Sequence, residues 1–171
     1  EGSYSTAVAK EVEDLAAAID YLKSRGSREV GVWGFSMGGA VALVSSPQGP
    51  EIKIVVSEAS YARLDLMARE LYRLPLLDYP LAWLTELWAR LFLGVDVRKV
   101  APMDAVKNIQ IPILIVHSEN DEMIPFEHAL LIREALKNNP RAEFWFQENL
   151  LHGQFDEVYK KKVGDFFLSN F

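Results

Sequence analysis

In Gly34-Phe35-Ser36-Met37-Gly38 a serine stands between two glycines. The apolar run Val30–Trp33 leads into it, and the small-residue helical pattern Gly39-Ala40-Val41-Ala42-Leu43 follows. A serine at a sharp strand-to-helix turn holds its hydroxyl clear of the backbone, the geometry of a nucleophile elbow. Such a turn strains the serine backbone, so positions 34 and 38 are read as glycines because neighbouring backbone passes too close for a side chain. Gly39-Ala40 would let the helix pack tightly on the sheet. Met37 opens that helix, and its N–H would point to where negative charge grows on a substrate oxygen. The same five residues also describe a glycine-rich turn with an incidental serine. The chemistry therefore depends on a base, and on an acid that orients it, elsewhere in the chain.

The chain holds three histidines. His152 lies in Leu150-Leu151-His152-Gly153, in the loop after the last strand pattern, where a side chain can reach back over a sheet. His128, inside a helical stretch after Pro125, reads as solvated or locally satisfied. His117, which ends an apolar strand, reads as a core histidine hydrogen-bonded to backbone. For the acid, the loop Ser118–Pro125 offers Glu119, Asp121 and Glu122. Asp121 is favoured because Ile124-Pro125 would anchor the next helix and so fix the loop. Its carboxylate could accept the His152 Nδ1–H, hold the tautomer and balance the imidazolium. Glu58, just past the second strand, is the rival acid.

To converge, these groups must be carried by particular elements. A first helix is expected over Thr6–Arg25, with Gly26 as its C-terminal cap. Strands are expected at Glu29–Phe35, Ile52–Ser57, Ile111–His117 and Ala142–Gln147, and helices at Met37–Ser45, Pro125–Asn138 and Phe155–Leu168. Between residues 61 and 107 no strand pattern appears. Two or three short helices there are read as a cap, contributing Leu66, Leu71, Leu76, Trp83, Trp88 and Phe92. Much of that apolar set is expected to be core and the remainder to face Ser36. Strands alternating with helices call for a three-layer α/β sandwich around a mostly parallel sheet. The runs Val30–Trp33, Ile52–Val56 and Ile113–Val116 are apolar enough to be buried on both sides. In such sheets functional groups collect beyond the carboxyl ends of the strands, where Ser36, Glu58, Asp121 and His152 all fall.

Composition narrows the classes. With 171 residues, 50% of them hydrophobic and 25% charged, the chain reads as one globular domain over 1–171. A net charge of −6 disfavours nucleic acid and anionic membrane surfaces. The absence of cysteine excludes disulfides, thiolate metal sites and a cysteine nucleophile, and fits a reducing, cytoplasmic setting. The apolar-rich region from Leu64 to Val97 is interrupted by charges, so no membrane span is expected. Neither a phosphate-binding glycine loop nor a ligand-spaced histidine cluster is present, so neither cofactor nor metal is expected. The chain opens on Glu1 rather than Met, as a processed product or a fragment would.

Gly34-Phe35-Ser36-Met37-Gly38, then Asp121 with Ile124-Pro125, then His152-Gly153 resembles the α/β-hydrolase superfamily in its own chain order of Ser, Asp, His. The helix bearing Asp14 and Tyr21-Leu22 and the segment Ile109–Pro125 resemble its intracellular esterase-like branch, with lysophospholipase-like and acyl-peptidase-like members. The resemblance implies a serine hydrolase acting on a small-molecule ester. Its site residues would be Ser36, Asp121, His152 and the Met37 N–H. Peptidase and thioesterase chemistry use the same residues. Dehalogenase and epoxide chemistry are disfavoured, because those members carry aspartate where Ser36 stands.

The resemblance covers only the C-terminal part of a usual member. The strands expected before residue 6 are missing, and with them the loop that donates a second oxyanion N–H, whose loss costs about 10²–10³ in kcat. An inactive fragment serving as an assembly or binding module is therefore a second reading. The strand at Val30–Phe35 would then be a bare edge, and pairing of two such edges in a two-fold dimer is expected.

Overall fold

The computed structural model describes residues 5–70 and 77–171. Four strands, β1 (Val30–Phe35), β2 (Ile52–Glu58), β3 (Ile113–Ser118) and β4 (Ala142–Gln147), form one sheet in the order β1-β2-β3-β4, every pairing parallel. The helices among the described residues are α1 (Glu11–Ser24), α2 (Met37–Ser45), α3 (Leu64–Glu70), α4 (Asp78–Trp88), α5 (Pro102–Ala105), α6 (Glu127–Ala135) and α7 (Glu157–Asn170). A π-helical turn, Ala89–Leu93, continues α4, and a 3₁₀ turn spans Val97–Lys99.

Strand order follows chain order, so right-handed crossovers deliver α2 and α6 to the same face. There Leu43, Val55, Ile113, Ile115, Ile132 and Leu136 make one core. After β4 the chain turns back across the opposite face, where α7 sets Tyr159 and Phe166 against Ile54, Val56, Leu114 and Val116. Odd and even positions of β2 and β3 thus feed different cores, which is why both strands read as unbroken apolar runs. This is the α/β sandwich expected, with helices on both sides of a parallel sheet.

Three expectations need correction. β1 is not buried on both sides. Among the described residues its one strand neighbour is β2, Gly31 is exposed, and Trp33 remains 51% exposed. The first helix starts later than Thr6. Ala7 and Val8 take φ of 52° and 89°, which no helix tolerates. Instead residues 5–8 wrap around the Glu11 carboxylate, which accepts the Thr6 and Val8 N–H groups and the Ser5 and Thr6 hydroxyls. Burial alone would raise the Glu11 pKa, but these bonds outweigh it and hold it at about 2. Finally, the large residues of α4 and of the π-helical turn that continues it are mostly outside the core. Ala82 and Ala89 face inward, whereas Trp83, Trp88 and Leu91 are largely exposed and Phe92 is 72% exposed. Small residues let that helix lie close to its neighbours while its bulky ones point out. Leu71 and Leu76 lie outside the described residues. No helix among the described residues is long and apolar enough to cross a membrane.

Candidate active site

β1 runs through Phe35 straight into Ser36, and α2 begins at the next residue. Ser36 has φ 54° and ψ −118°, a left-handed conformation that L-residues avoid unless the surroundings impose it. Two things impose it here. The Ser36 N–H donates to the Glu58 carbonyl (2.8 Å), tying the turn to β2. The α2 backbone also folds back so closely that a Cβ on Gly34 would stand 2.1 Å from the Gly38 carbonyl oxygen. Gly39 is likewise pressed on the sheet, its would-be Cβ 2.9 Å from Ser57 Oγ and 3.0 Å from the Glu58 carbonyl oxygen. Gly38 differs from the expectation: nothing lies within 4 Å of a Cβ there. Its backbone is the surface against which Gly34 must be bare. Met37 sits in the first turn of α2, where helical N–H groups have no partner within the helix.

β3 and β4 end beside one another and send out the other two groups. Asp121 folds its loop into an Asx turn, Oδ1 accepting the N–H groups of Met123 (2.9 Å) and Ile124 (2.8 Å). Its Oδ2 accepts the His152 Nδ1–H at 2.7 Å. The Asp121 side chain is 1% exposed. Three donors thus surround its two oxygens. Because Nδ1 carries the proton, Nε2 is the basic nitrogen, and it lies 3.2 Å from Ser36 Oγ as an acceptor for the hydroxyl. The structure thus brings Ser36, His152 and Asp121 into one hydrogen-bonded line.

The loop carrying His152 is laced to the loop carrying Asp121. Glu122 Oε2 accepts the His152 backbone N–H (3.0 Å), Ser118 Oγ donates to the Leu150 carbonyl, and Asn120 Nδ2 to the Glu148 carbonyl. The imidazole is backed by Phe35, ring centroids 4.7 Å apart. Gly153, at φ +76°, turns beneath the Phe35 ring, leaving a Cβ only 3.1 Å from it. Sequence reasoning offered Glu122 only as one of three candidate acids and gave Ser118, Asn120 and Phe35 no role. The one available signal was proximity in sequence to Asp121 and Ser36.

His117 is buried and its Nε2–H donates to the Ile124 carbonyl (2.9 Å); burial lowers its pKa. His128 is neither solvated nor locally satisfied. It is 3% exposed, and its Nδ1 accepts the N–H of distant Ala62 (3.0 Å). Burial, aided by His117, pushes its pKa down to about 4. Glu58 also lies at the carboxyl end of the sheet but is turned toward α7, hydrogen-bonded with Tyr159 rather than with a histidine. Among the described residues no group of three or more histidine or carboxylate side chains is placed to hold a metal ion.

Similarity to known proteins agrees with this architecture. The sequence model of the prolyl oligopeptidase family matches residues 4–163. The uncharacterized protein YqkD of Bacillus subtilis (strain 168) is 27% identical over 168 residues, covering 91% of this chain and 54% of that protein. The Pyrococcus furiosus esterase Pf2001 superposes with a TM-score of 0.75 at 26% identity, over 98% of this chain and 65% of that one. Pyrococcus horikoshii acylaminoacyl peptidase shares the fold, with a TM-score of 0.71 at 19% identity over 95% of this chain and 27% of its own. The chain spans about half the length of the curated relative YqkD. On the match over 4–163 and the parallel sheet with its helices on both faces, this chain belongs to the prolyl oligopeptidase family, among the esterase- and peptidase-like members of the α/β-hydrolase superfamily.

Proposed function

We propose that this chain is a serine hydrolase that cleaves carboxylic esters through an acyl-enzyme. The observation that carries the reading is the line from Ser36 Oγ through His152 to Asp121 Oδ2, beginning at a left-handed serine. Ser36 Oγ attacks the ester carbon while its proton passes to His152 Nε2. Asp121 stabilises the imidazolium and keeps Nδ1 as the donor. The Met37 N–H faces the oxyanion of the tetrahedral intermediate. Collapse returns the proton from Nε2 to the departing alkoxide and leaves an ester on Ser36. Water, deprotonated by the same nitrogen, then releases the carboxylic acid and restores the Ser36 hydroxyl. An apolar acyl or alkyl group is the substrate expected from the apolar composition of the 61–107 segment alone, since its bulky described residues point outward, and the lack of cysteine favours a cytoplasmic setting.

A peptidase using the same three side chains is the second reading. It is favoured by the family match and by the likeness to an acylaminoacyl peptidase. Turnover of short and long p-nitrophenyl esters beside an N-acyl peptide anilide separates the two. Wild type should hydrolyse the esters and be labelled by a fluorophosphonate, and Ser36→Ala should do neither. Equal rates in both proteins would leave a non-catalytic binding module instead.

A further inference from the structure

Glu58 is the buried acid that this mechanism leaves unused. It is 5% exposed, and its Oε2 has no hydrogen-bond partner. The carboxyl faces the Tyr159 hydroxyl, which accepts the Trp33 indole N–H at 2.8 Å. Its own carbonyl holds the Ser36 N–H, and in the sheet it stands opposite Phe35. Tyr159 continues into an aromatic set: Phe155 lies 5.0 Å from it, Phe35 lies 5.4 Å from Phe155, and His152 lies 4.7 Å from Phe35, all between ring centroids. The Glu58 carboxyl is therefore linked, ring by ring, to the face of the imidazole.

Two buried acids within electrostatic reach of each other do not both ionise readily, and their donors decide which one does. Asp121 has three donors for two oxygens. Glu58 is buried with a bare oxygen, so the proton belongs on Glu58. We propose that Glu58 is a positioning residue of this site, resident as the neutral acid: it anchors Tyr159 and the rings that back His152, and leaves Asp121 as the single negative charge against the imidazole. The groups facing Glu58 agree. Burial lifts its pKa to about 7, the Tyr159 hydrogen bond opposes the rise, and the Asp121 charge adds to it. His117, on the far side of Asp121, is buried with a lowered pKa and supplies no compensating charge near neutrality. The inference rests on the hydrolase reading for its catalytic consequence, though not for its electrostatics.

Ionising Glu58 adds a second negative charge that acts on Asp121, the carboxylate bonded to the imidazole. The test follows the His152 ring proton by NMR across pH 4–9 in wild type, Glu58→Gln and Tyr159→Phe, alongside the pH profile of p-nitrophenyl ester hydrolysis. In wild type the His152 titration should be spread by a second ionisation. In Glu58→Gln it should become a single step whose midpoint falls on the order of half a pH unit. The acid limb of kcat/KM should fall by the same amount, and kcat should drop less than about tenfold. Tyr159→Phe removes the donor but keeps the carboxyl, so the second ionisation should move to higher pH. Superimposable His152 titrations in wild type and Glu58→Gln would overturn the proposal. So would a collapse of kcat by about 10³ or more in folded Glu58→Gln, which would make Glu58 the orienting acid. If wild type shows no Ser36-dependent hydrolysis, the hydrolase reading fails, and the NMR titration still decides the role of Glu58.

Discussion

Gly34 and Gly38 flank the same serine in the same motif, yet the space around them differs. A methyl on Gly34 would collide with the Gly38 carbonyl at 2.1 Å, a backbone atom that can move only by opening the elbow. A methyl on Gly38 would meet nothing, and inside a helix alanine is favoured over glycine by up to about 1 kcal/mol. Gly34→Ala should therefore cost about 3 kcal/mol in urea denaturation and abolish fluorophosphonate labelling. Gly38→Ala should be neutral or slightly stabilising and keep the label. Comparable damage from both would mean that the position two residues after the serine is constrained by something other than bulk. The convergence of Ser36, Asp121 and His152 was legible because each is a chemically distinctive residue at a strand end. Glu122, Ser118 and Asn120 were not, because they act through backbone groups of the His152 loop, and such pairings leave no trace in spacing. His128 escaped for the same reason, its partner being a main-chain N–H 66 residues away.

Element by element, the strands and most helices could be placed from periodicity, because β2 and β3 bury both faces and α7 repeats its apolar residues every three or four positions. Periodicity failed where a polar contact overrode it. Val8 and Val12 share a helical spacing, but the Glu11 carboxylate coils residues 5–8 into a non-helical knot. It also failed at β1, whose apolar composition resembles an interior strand although no strand pairs with its outer side among the described residues. Such an edge presents backbone donors and acceptors to any matching edge. For this 171-residue chain by itself, two β1 edges meeting about a two-fold axis would pair antiparallel and join two four-stranded sheets into one. Sedimentation should show a dimer at micromolar concentration, weakened by Trp33→Pro, which removes an N–H on the side of β1 away from β2. A stable monomer at that concentration in both proteins would dismiss edge pairing.

Over the whole molecule, buried titratable groups pull stability in opposite directions across one pH window. The folded pKa of His128, about 4, lies below its ordinary 6.5, so the unfolded chain binds its proton more tightly and stability falls as pH drops from 6.5 toward 4. His117 acts in the same sense. Glu58 does the reverse. Its folded pKa, about 7, stands above its ordinary 4.5, so its contribution is fully present below 4.5 and is lost as the pH climbs toward 7. For so buried a group that loss comes to about 3 kcal/mol. Wild-type stability should therefore change little between pH 5 and 6.5, where the two slopes oppose. Glu58→Gln cannot ionise, so the histidine slope should emerge. Its amide leaves a buried donor unpaired, a cost that does not depend on pH. Urea denaturation at pH 5, 6 and 7 should thus show the variant gaining on wild type by about 2 kcal/mol as pH rises, whatever the offset at pH 5. A constant difference across the three would mean that Glu58 is already ionised in the folded chain at pH 5. The bare oxygen at Oε2 would then need a hydrogen-bond donor beyond those the fold provides.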